Sequence, residues 1–519
     1  MTGDSYLPTR ETFADELVSA GFSDDGVRLR GEVAWATALG QMRTTKVQIT
    51  FGAAFPFAPP TVNLVGDSGV DVTFHVDRPD LDADPSLSGN LCLWERDHPV
   101  EHAPWLTADG LLAQIRGWLD HTEAGWLDDD ACDLERYLPS CHELVLFDSD
   151  DTSQRDLVLM QVHGMKAPAT VRITSDVSRV GKTLPKKPSQ VRRKDAGACW
   201  IEDVGELSRP VSSWQDLLGV VADSNRLVYL AALQAVRYVH LRYTRNGKPG
   251  VLVVRLRGQG VIQACECADE SPGGRSLRAG PQAKNLAHAS VAIIGCGAIG
   301  SFAADLLFRS GVREFVLYDA ERLLPGNVVR HVGTLDEVGL AKVDVVRDQL
   351  IRLGADKEAV ARHPGNVNTL AVARRIVASH DLVLDATADA RATSLFAVAA
   401  AGQEASSGDC SVISACVQRQ GQVIRVDRLT VNAAEEHLPP LERDPAEAQL
   451  EDPGCGSPVS VTPPASVLRA TTLAVEVATL ELRQKGSAPV TTVEVLVAQP
   501  EAPYDVVGRL TSLTEEDPA

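Results

Sequence analysis

Ser290-Val-Ala-Ile-Ile-Gly-Cys-Gly-Ala-Ile-Gly-Ser301 is an apolar run of strand length that breaks into a glycine-rich turn. Gly295, Gly297 and Gly300 supply the tight turn, the close backbone approach and the helix-on-strand contact that a nucleotide phosphate needs at a helix N-terminus. Asp319 ends the next strand-like run, Glu314 to Tyr318, where an acidic side chain can accept ribose hydroxyls. An NAD-dependent oxidoreductase and an ATP-using enzyme fit these residues equally well.

Further residues favour ATP. Asn327, Arg330 and Lys342 follow, then a second apolar strand, Asp381 to Asp385, running into Ala386-Thr-Ala-Asp389. From Ala289 to Leu482 this order resembles the ThiF and ubiquitin-activating superfamily. The resemblance implies a doubly wound α/β fold in which Asp319 binds ribose, Asn327, Arg330 and Lys342 hold the phosphates of ATP, and an Asp at the end of a strand coordinates Mg2+. The family pattern is Asp-x-Thr-Asp, but Ala388 stands where its last Asp would fall, so the metal is assigned to Asp389. The chemistry is coherent, because attack of a carboxylate on an α-phosphate concentrates negative charge that cations must offset. Hydride transfer has no such need.

A second resemblance lies upstream. Val47 to Phe51 alternates as a strand, and Phe55-Pro-Phe-Ala-Pro-Pro60 can enter neither a helix nor a central strand. Thr61 to Val65, His75, Gly89-Asn-Leu-Cys-Leu93, Trp105 and the amphipathic Ala108 to Leu119 follow in order. The series resembles a ubiquitin-conjugating domain, an α+β fold, with Cys92 matching the reactive cysteine. The His-Pro-Asn signature of that family is absent, and only His75 stands in the corresponding stretch.

Most of the ten cysteines read as small buried apolar residues. No pair has C-x-x-C spacing, so no structural zinc is expected. Cys455 differs. It lies in Asp452-Pro-Gly-Cys-Gly-Ser-Pro458, after the acidic run Glu435 to Asp452 and before the apolar helix predicted over Ala465 to Leu482. In the activating family a crossover loop so placed carries the cysteine that attacks the acyl adenylate. The two resemblances together imply a relay: ATP activates a protein C-terminus, Cys455 captures it as a thioester, and Cys92 receives it and passes it to a target amine. Such an arrangement is similar to bacterial conjugating and activating fusions of antiphage islands, whose partner is a cyclic-nucleotide synthase or a ubiquitin-like protein. A sulfur-carrier adenylyltransferase has no use for Cys92. A scaffold that binds a modifier without catalysis has no use for Cys92, Arg330, Lys342 and Cys455 together.

At 519 residues the chain has room for three or four domains at about 150 residues each. The expected division is a conjugating-like domain over 1–150, a linking or bridging domain of unassigned role over 151–288, and the adenylation domain over 289–519. Within the middle, Trp214 to Ala235 is helix-like, and Arg237 to Tyr243 and Val251 to Arg257 read as a hairpin around Asn246-Gly-Lys-Pro-Gly250. The resemblance also implies a homodimer. A net charge of −20 argues against nonspecific nucleic-acid binding. No apolar run reaches 18 residues and the first twenty lack a signal-peptide profile, so neither a membrane span nor export is expected, and the chain is assigned to the cytoplasm.

Overall fold

Short β-rich runs alternate with longer amphipathic ones beyond Ala289, a pattern that builds parallel strands with helical crossovers. A computed structural model describes residues 8–37, 39–66, 74–77, 84, 86–94, 103–127, 129–152, 157–163, 170–173, 198–402, 410–429, 437–441 and 461–512. They divide into two compact units, Met1–Gly274 and Arg275–Ala519.

The first unit opens with an antiparallel sheet, β1 (Ser23–Asp24), β2 (Arg28–Ala36), β3 (Met42–Thr50), β4 (Thr61–Val65) and β5 (Leu87–Asn90), in that spatial order. β2 and β4 alternate, burying Leu29, Val33, Trp35, Val62 and Leu64 on one face. The helix Ala108–Ala124 buries Leu111, Leu112, Ile115, Trp118 and Leu119 in the same core as Val33, Val47, Ile49 and Val62. Thr107 caps its start by accepting from the Gly110 N–H at 3.1 Å, and Gly125, at φ +81°, ends it in the left-handed conformation. The proline run and the tryptophan meet here: Trp105 Nε1 donates to the Pro56 carbonyl at 2.9 Å.

A closed barrel is formed by β6 (Ser140–Phe147), β7 (Leu157–His163), β8 (Thr170–Ile173), β9 (Ala198–Glu206), β10 (Val236–Arg245), β11 (Lys248–Arg257) and β12 (Val261–Asp269). The expected hairpin is β10 and β11, paired from Tyr238↔Arg255 to Arg245↔Lys248 around Asn246 and Gly247, both at positive φ. The helix-like stretch is two helices, Trp214–Val220 and Ser224–Ala232, separated where Asp223 caps the second by accepting from the Arg226 N–H. The barrel was not foreseen in the sequence.

The second unit is the doubly wound α/β sheet. Its strands are β13 (Ser290–Ile294), β14 (Glu314–Tyr318), β15 (Val360–His363), β16 (Leu382–Asp385), β17 (Ser411–Gln418), β18 (Val423–Arg428), β19 (Thr491–Val495) and β20 (Gly508–Thr511), in the order β15-β14-β13-β16-β17-β18-β19-β20. The five from β15 to β17 are parallel, and the last three add antiparallel pairs. The chain leaves β13 toward β14 on one side and returns as β16 on the other. This reversal opens a crevice at the carboxyl ends of β13 and β16, where such sheets bind ligands. The helices Ala298–Ser310 and Pro464–Arg483 pack in one core with Val291, Ile293, Leu382 and Leu384. No described helix is long and apolar enough to cross a membrane.

Candidate functional site

The glycine turn lies at the end of β13. Gly295 adopts φ +85°, and a side chain there would also press on Ala386 and Thr387 at 3.1 Å. A Cβ at Gly300 would fall on the Gly295 carbonyl oxygen, so the helix Ala298–Ser310 can approach the strand only because position 300 is glycine. Gly297 caps that helix without any side-chain hydrogen bond, and the space where its Cβ would stand is open. The first-turn N–H groups therefore have no side-chain cap, which suits an anion.

Asp319 lies next to this turn. Its Oδ2 accepts the Cys296 N–H at 2.8 Å and its Oδ1 the Glu321 N–H at 2.7 Å. Each oxygen retains a lone pair for a hydroxyl. Burial raises the Asp319 carboxyl above the usual range, while the Glu321 N–H and the Lys342 charge pull the other way. Lys342 is itself buried, at the N-terminus of the helix Lys342–Arg352, and ion-pairs with Glu321. A buried cation at the positive end of a helix is unfavourable on two counts, so a structural role alone explains it poorly.

Asn327 and Arg330 come from the 3-10 turn Pro325–Arg330. Asn327 accepts the Leu324 N–H at 3.0 Å and so shapes that turn, and Arg330 Nη1 lies 3.4 Å from the Thr462 carbonyl. The residue that joins this segment to the glycine turn is His331, which the sequence reading passed over. Its Nδ1 accepts the Gly333 N–H at 2.9 Å, which leaves the proton on Nε2 to donate to the Cys296 carbonyl at 2.9 Å. Burial lowers its pKa, consistent with that neutral tautomer. Its place directly after Arg330 was the available signal.

Beyond β16 the two aspartates differ. Asp385 is fully buried, and its carboxylate accepts from Thr387 N–H (3.1 Å) and Oγ1 (2.6 Å), Thr393 Oγ1 (2.6 Å) and Ser414 Oγ (3.3 Å). Asp389 is exposed and caps the helix Ala390–Ala401, its Oδ1 accepting the Arg391 N–H at 2.9 Å. Between them Ala388 is held at φ +53°, a conformation that costs a non-glycine residue about 1–2 kcal/mol.

In the first unit Cys92 is half-buried. Its N–H donates to the His75 carbonyl at 2.9 Å, and its Sγ lies 3.8 Å from Asp77 Oδ1. The same carboxylate oxygen receives both Nε and Nη2 of Arg136 at 2.9 Å, and Arg136 Nη1 reaches Asp133 at 2.9 Å. Burial pushes the Cys92 thiol up to about 12; Arg136 opposes this, while Asp77 and Asp133 add to it. His75 is itself at φ +58°, fixed by Trp118 Nε1 donating to its carbonyl and by its own N–H donating to Tyr137. Asp77 and Arg136 were not identified in the sequence. Cys455 and, apart from 437–441, its acidic approach over 435–452 lie outside the described residues.

Residues 275–480 match the ThiF family. The chain thus carries a ThiF domain on its doubly wound sheet. A segment of 114 residues is 35% identical to the ATP-dependent ubiquitin transferase-like protein Cap2 of Vibrio cholerae, covering 21% of this chain and 18% of that protein. A segment of 81 residues is 32% identical to ubiquitin-like modifier-activating enzyme 5 of Caenorhabditis elegans, covering 16% and 19%. The chain therefore aligns with less than a fifth of either relative. Among solved structures it is similar to Escherichia coli MccB with succinimide (18% identity, TM-score 0.32, 44% of this chain and 65% of that one) and to PaaA (17%, 0.33, 41% and 62%).

Proposed function

We propose that the ThiF domain adenylates the C-terminus of a partner protein and that the chain then transfers the acyl group through Cys455 to Cys92 and on to a target amine. The observation that carries the first step is the glycine turn itself: an uncapped helix N-terminus, open space at Gly297, and Asp319 and buried Lys342 beside it. In this reading Asp319 accepts the ribose hydroxyls, and Lys342, Arg330 and Asn327 hold the phosphates. A carboxylate oxygen of the partner attacks the α-phosphorus and pyrophosphate leaves. In this reading Asp389 holds a divalent cation through Oδ2, since its contacts with Arg391 both use Oδ1. Mg2+ there would offset charge on the phosphates. The likeness to Cap2 and to the modifier-activating enzymes supports this reading, and the antiphage setting is part of the proposal.

In the later steps the Cys455 thiolate attacks the adenylate and AMP leaves, the Cys92 thiolate then displaces Cys455, and finally an amine displaces Cys92. One chain carrying both thiols would raise their effective concentration to the order of millimolar for a short flexible linker. Without the family's Asn, we assign stabilisation of the oxyanion at Cys92 to Arg136, which shares the Asp77 oxygen with the thiol. Asp77 is then placed to take the proton of the attacking amine. The partner would be a cyclic-nucleotide synthase or a ubiquitin-like protein and the enzyme a homodimer of the cytoplasm, with the expected boundary at 150 drawn back so that β6 (Ser140–Phe147) belongs to the middle domain.

Partner-dependent exchange of labelled pyrophosphate into ATP tests the first step. Exchange should require Lys342 and Asp319, and NADH should not bind. Measurable NADH binding without exchange would replace this reading by an oxidoreductase.

A further inference from the structure

The barrel brings together two cysteines that lie 124 positions apart in sequence, Cys141 on β6 and Cys265 on β12, with their sulfurs hydrogen-bonded at 3.0 Å. We infer that Cys141 and Cys265 are a redox-active dithiol that closes to a disulfide across the parallel seam between β6 and β12.

Local geometry makes the approach possible. Between Ala264↔Ser140 and Glu266↔Leu144 the register shifts, so β6 spends more residues than β12 over the same span. His142, at φ +55°, lies in this bulge. Bulges re-aim side chains, and here Cys141 is left facing Cys265, with the sulfurs about 1 Å beyond the covalent length of about 2.05 Å. Cys265 is buried in the barrel core with Val145, Val253 and Tyr238, while Cys141 is half-buried at its margin. A reagent would therefore meet Cys141 first. The Cys265 contact, then Arg255 and Arg257, hold the Cys141 thiol below the usual range, and the same contact with burial raises Cys265. The pair thus has an attacking member and a resolving member.

A metal ion fits less well. Among the described residues the donor group is Cys141, Cys265 and Glu143. Glu143 is already engaged, because the Tyr238 hydroxyl donates to it at 2.7 Å and Arg255 ion-pairs with it. Two thiols remain.

The oxidant required is a small-molecule disulfide. The Cys141 thiolate attacks one of its sulfurs and a thiolate leaves. The Cys265 sulfur then attacks the mixed disulfide at Cys141, its proton passing to the second departing thiol. One small disulfide is reduced to two thiols, and the protein loses two hydrogen atoms.

The test treats the full chain with oxidised glutathione, blocks remaining thiols with an alkylating reagent, and maps non-reduced tryptic peptides by mass spectrometry. Fragmentation must separate Cys265 from Cys267, which share a peptide. The expected product is a Cys141–Cys265 cross-link that dithiothreitol reverses and that raises the thermal midpoint by about 5 °C or more. Cys265→Ser should instead leave a stable glutathione adduct on Cys141. The inference is overturned if wild type stops at that adduct, if Cys141 joins Cys267, or if both thiols stay alkylatable while Cys92 is oxidised. Zinc copurifying one per chain and lost from Cys141→Ser would overturn it in favour of a metal site.

Discussion

Around the glycine turn of the ThiF domain main-chain N–H donors face a ligand, and the charged side chains beside them, Asp319 and Lys342, are buried and already paired. Around Cys92 the surroundings are side-chain charges, one arginine between two aspartates. The contrast is sharpest between two cysteines. Cys296 sits inside the turn, fully buried, its thiol raised well above the ordinary range by burial and then by Asp319. Cys92 is also raised, yet it is half-buried and has Arg136 within its electrostatic reach. A displaced pKa alone therefore does not mark a reactive thiol; accessibility and a charge that can respond to the reaction must accompany it. Main chain suits a large anion that binds and leaves, whereas movable charges suit a covalent step.

The largest effect should come from the turn. Gly300→Ala would drive a methyl into the Gly295 carbonyl, and a drop of 3 kcal/mol or more in unfolding free energy, or insoluble protein, is expected on urea titration. Lys342→Ala should lower partner-dependent pyrophosphate exchange by about 10²–10³-fold; a fall below threefold would make Lys342 merely structural. At the other region, Arg136→Gln should slow discharge of a Cys92 thioester to a free amine by about 10–100-fold while leaving thioester formation nearer to wild type. Equal loss in both steps would point to a collapsed loop.

Two smaller effects refine the comparison. Asp389→Asn keeps a good helix cap but removes the charge, so a higher Mg2+ requirement with unchanged thermal stability separates metal holding from capping. For Cys92 the sign is simple: a thiol raised to about 12 is protonated at neutral pH, so its thiolate fraction, and its alkylation rate, should climb close to tenfold per pH unit from pH 7 to 10. A plateau near pH 8 in iodoacetamide labelling would show that the thiol is not suppressed. The raised value is also the one observation that favours a modifier-binding scaffold, in which Cys92→Ser would change nothing.

The centre of the doubly wound sheet, β13, β14 and β16, was legible because these strands are short apolar runs, the first breaking into glycines, whereas β15 and β20 are mostly exposed and carry no such pattern. The helix Ala108–Ala124 and the β10–β11 hairpin were legible for the same local reasons. The barrel was not, since its seams join strands far apart in the chain, β6 to β12 and β9 to β10, and no local pattern records such pairing. The same holds at the sites. Asp319 and the glycines announce themselves by spacing, whereas Arg136 meets Asp77 from 59 positions away. His331 was hidden for another reason: its role is a backbone contact, which residue type alone does not reveal.

The central claim is a relay of one acyl group through two thiols. Wild type, Cys92→Ala and Cys455→Ala should be incubated with ATP, Mg2+ and the candidate partner, then weighed intact by mass spectrometry without reductant. A thiol-labile adduct that forms on Cys455 in Cys92→Ala, and that reaches Cys92 only when Cys455 is present, is the predicted result. An acyl adenylate with no adduct at either cysteine would contradict the relay and leave a simple adenylyltransferase.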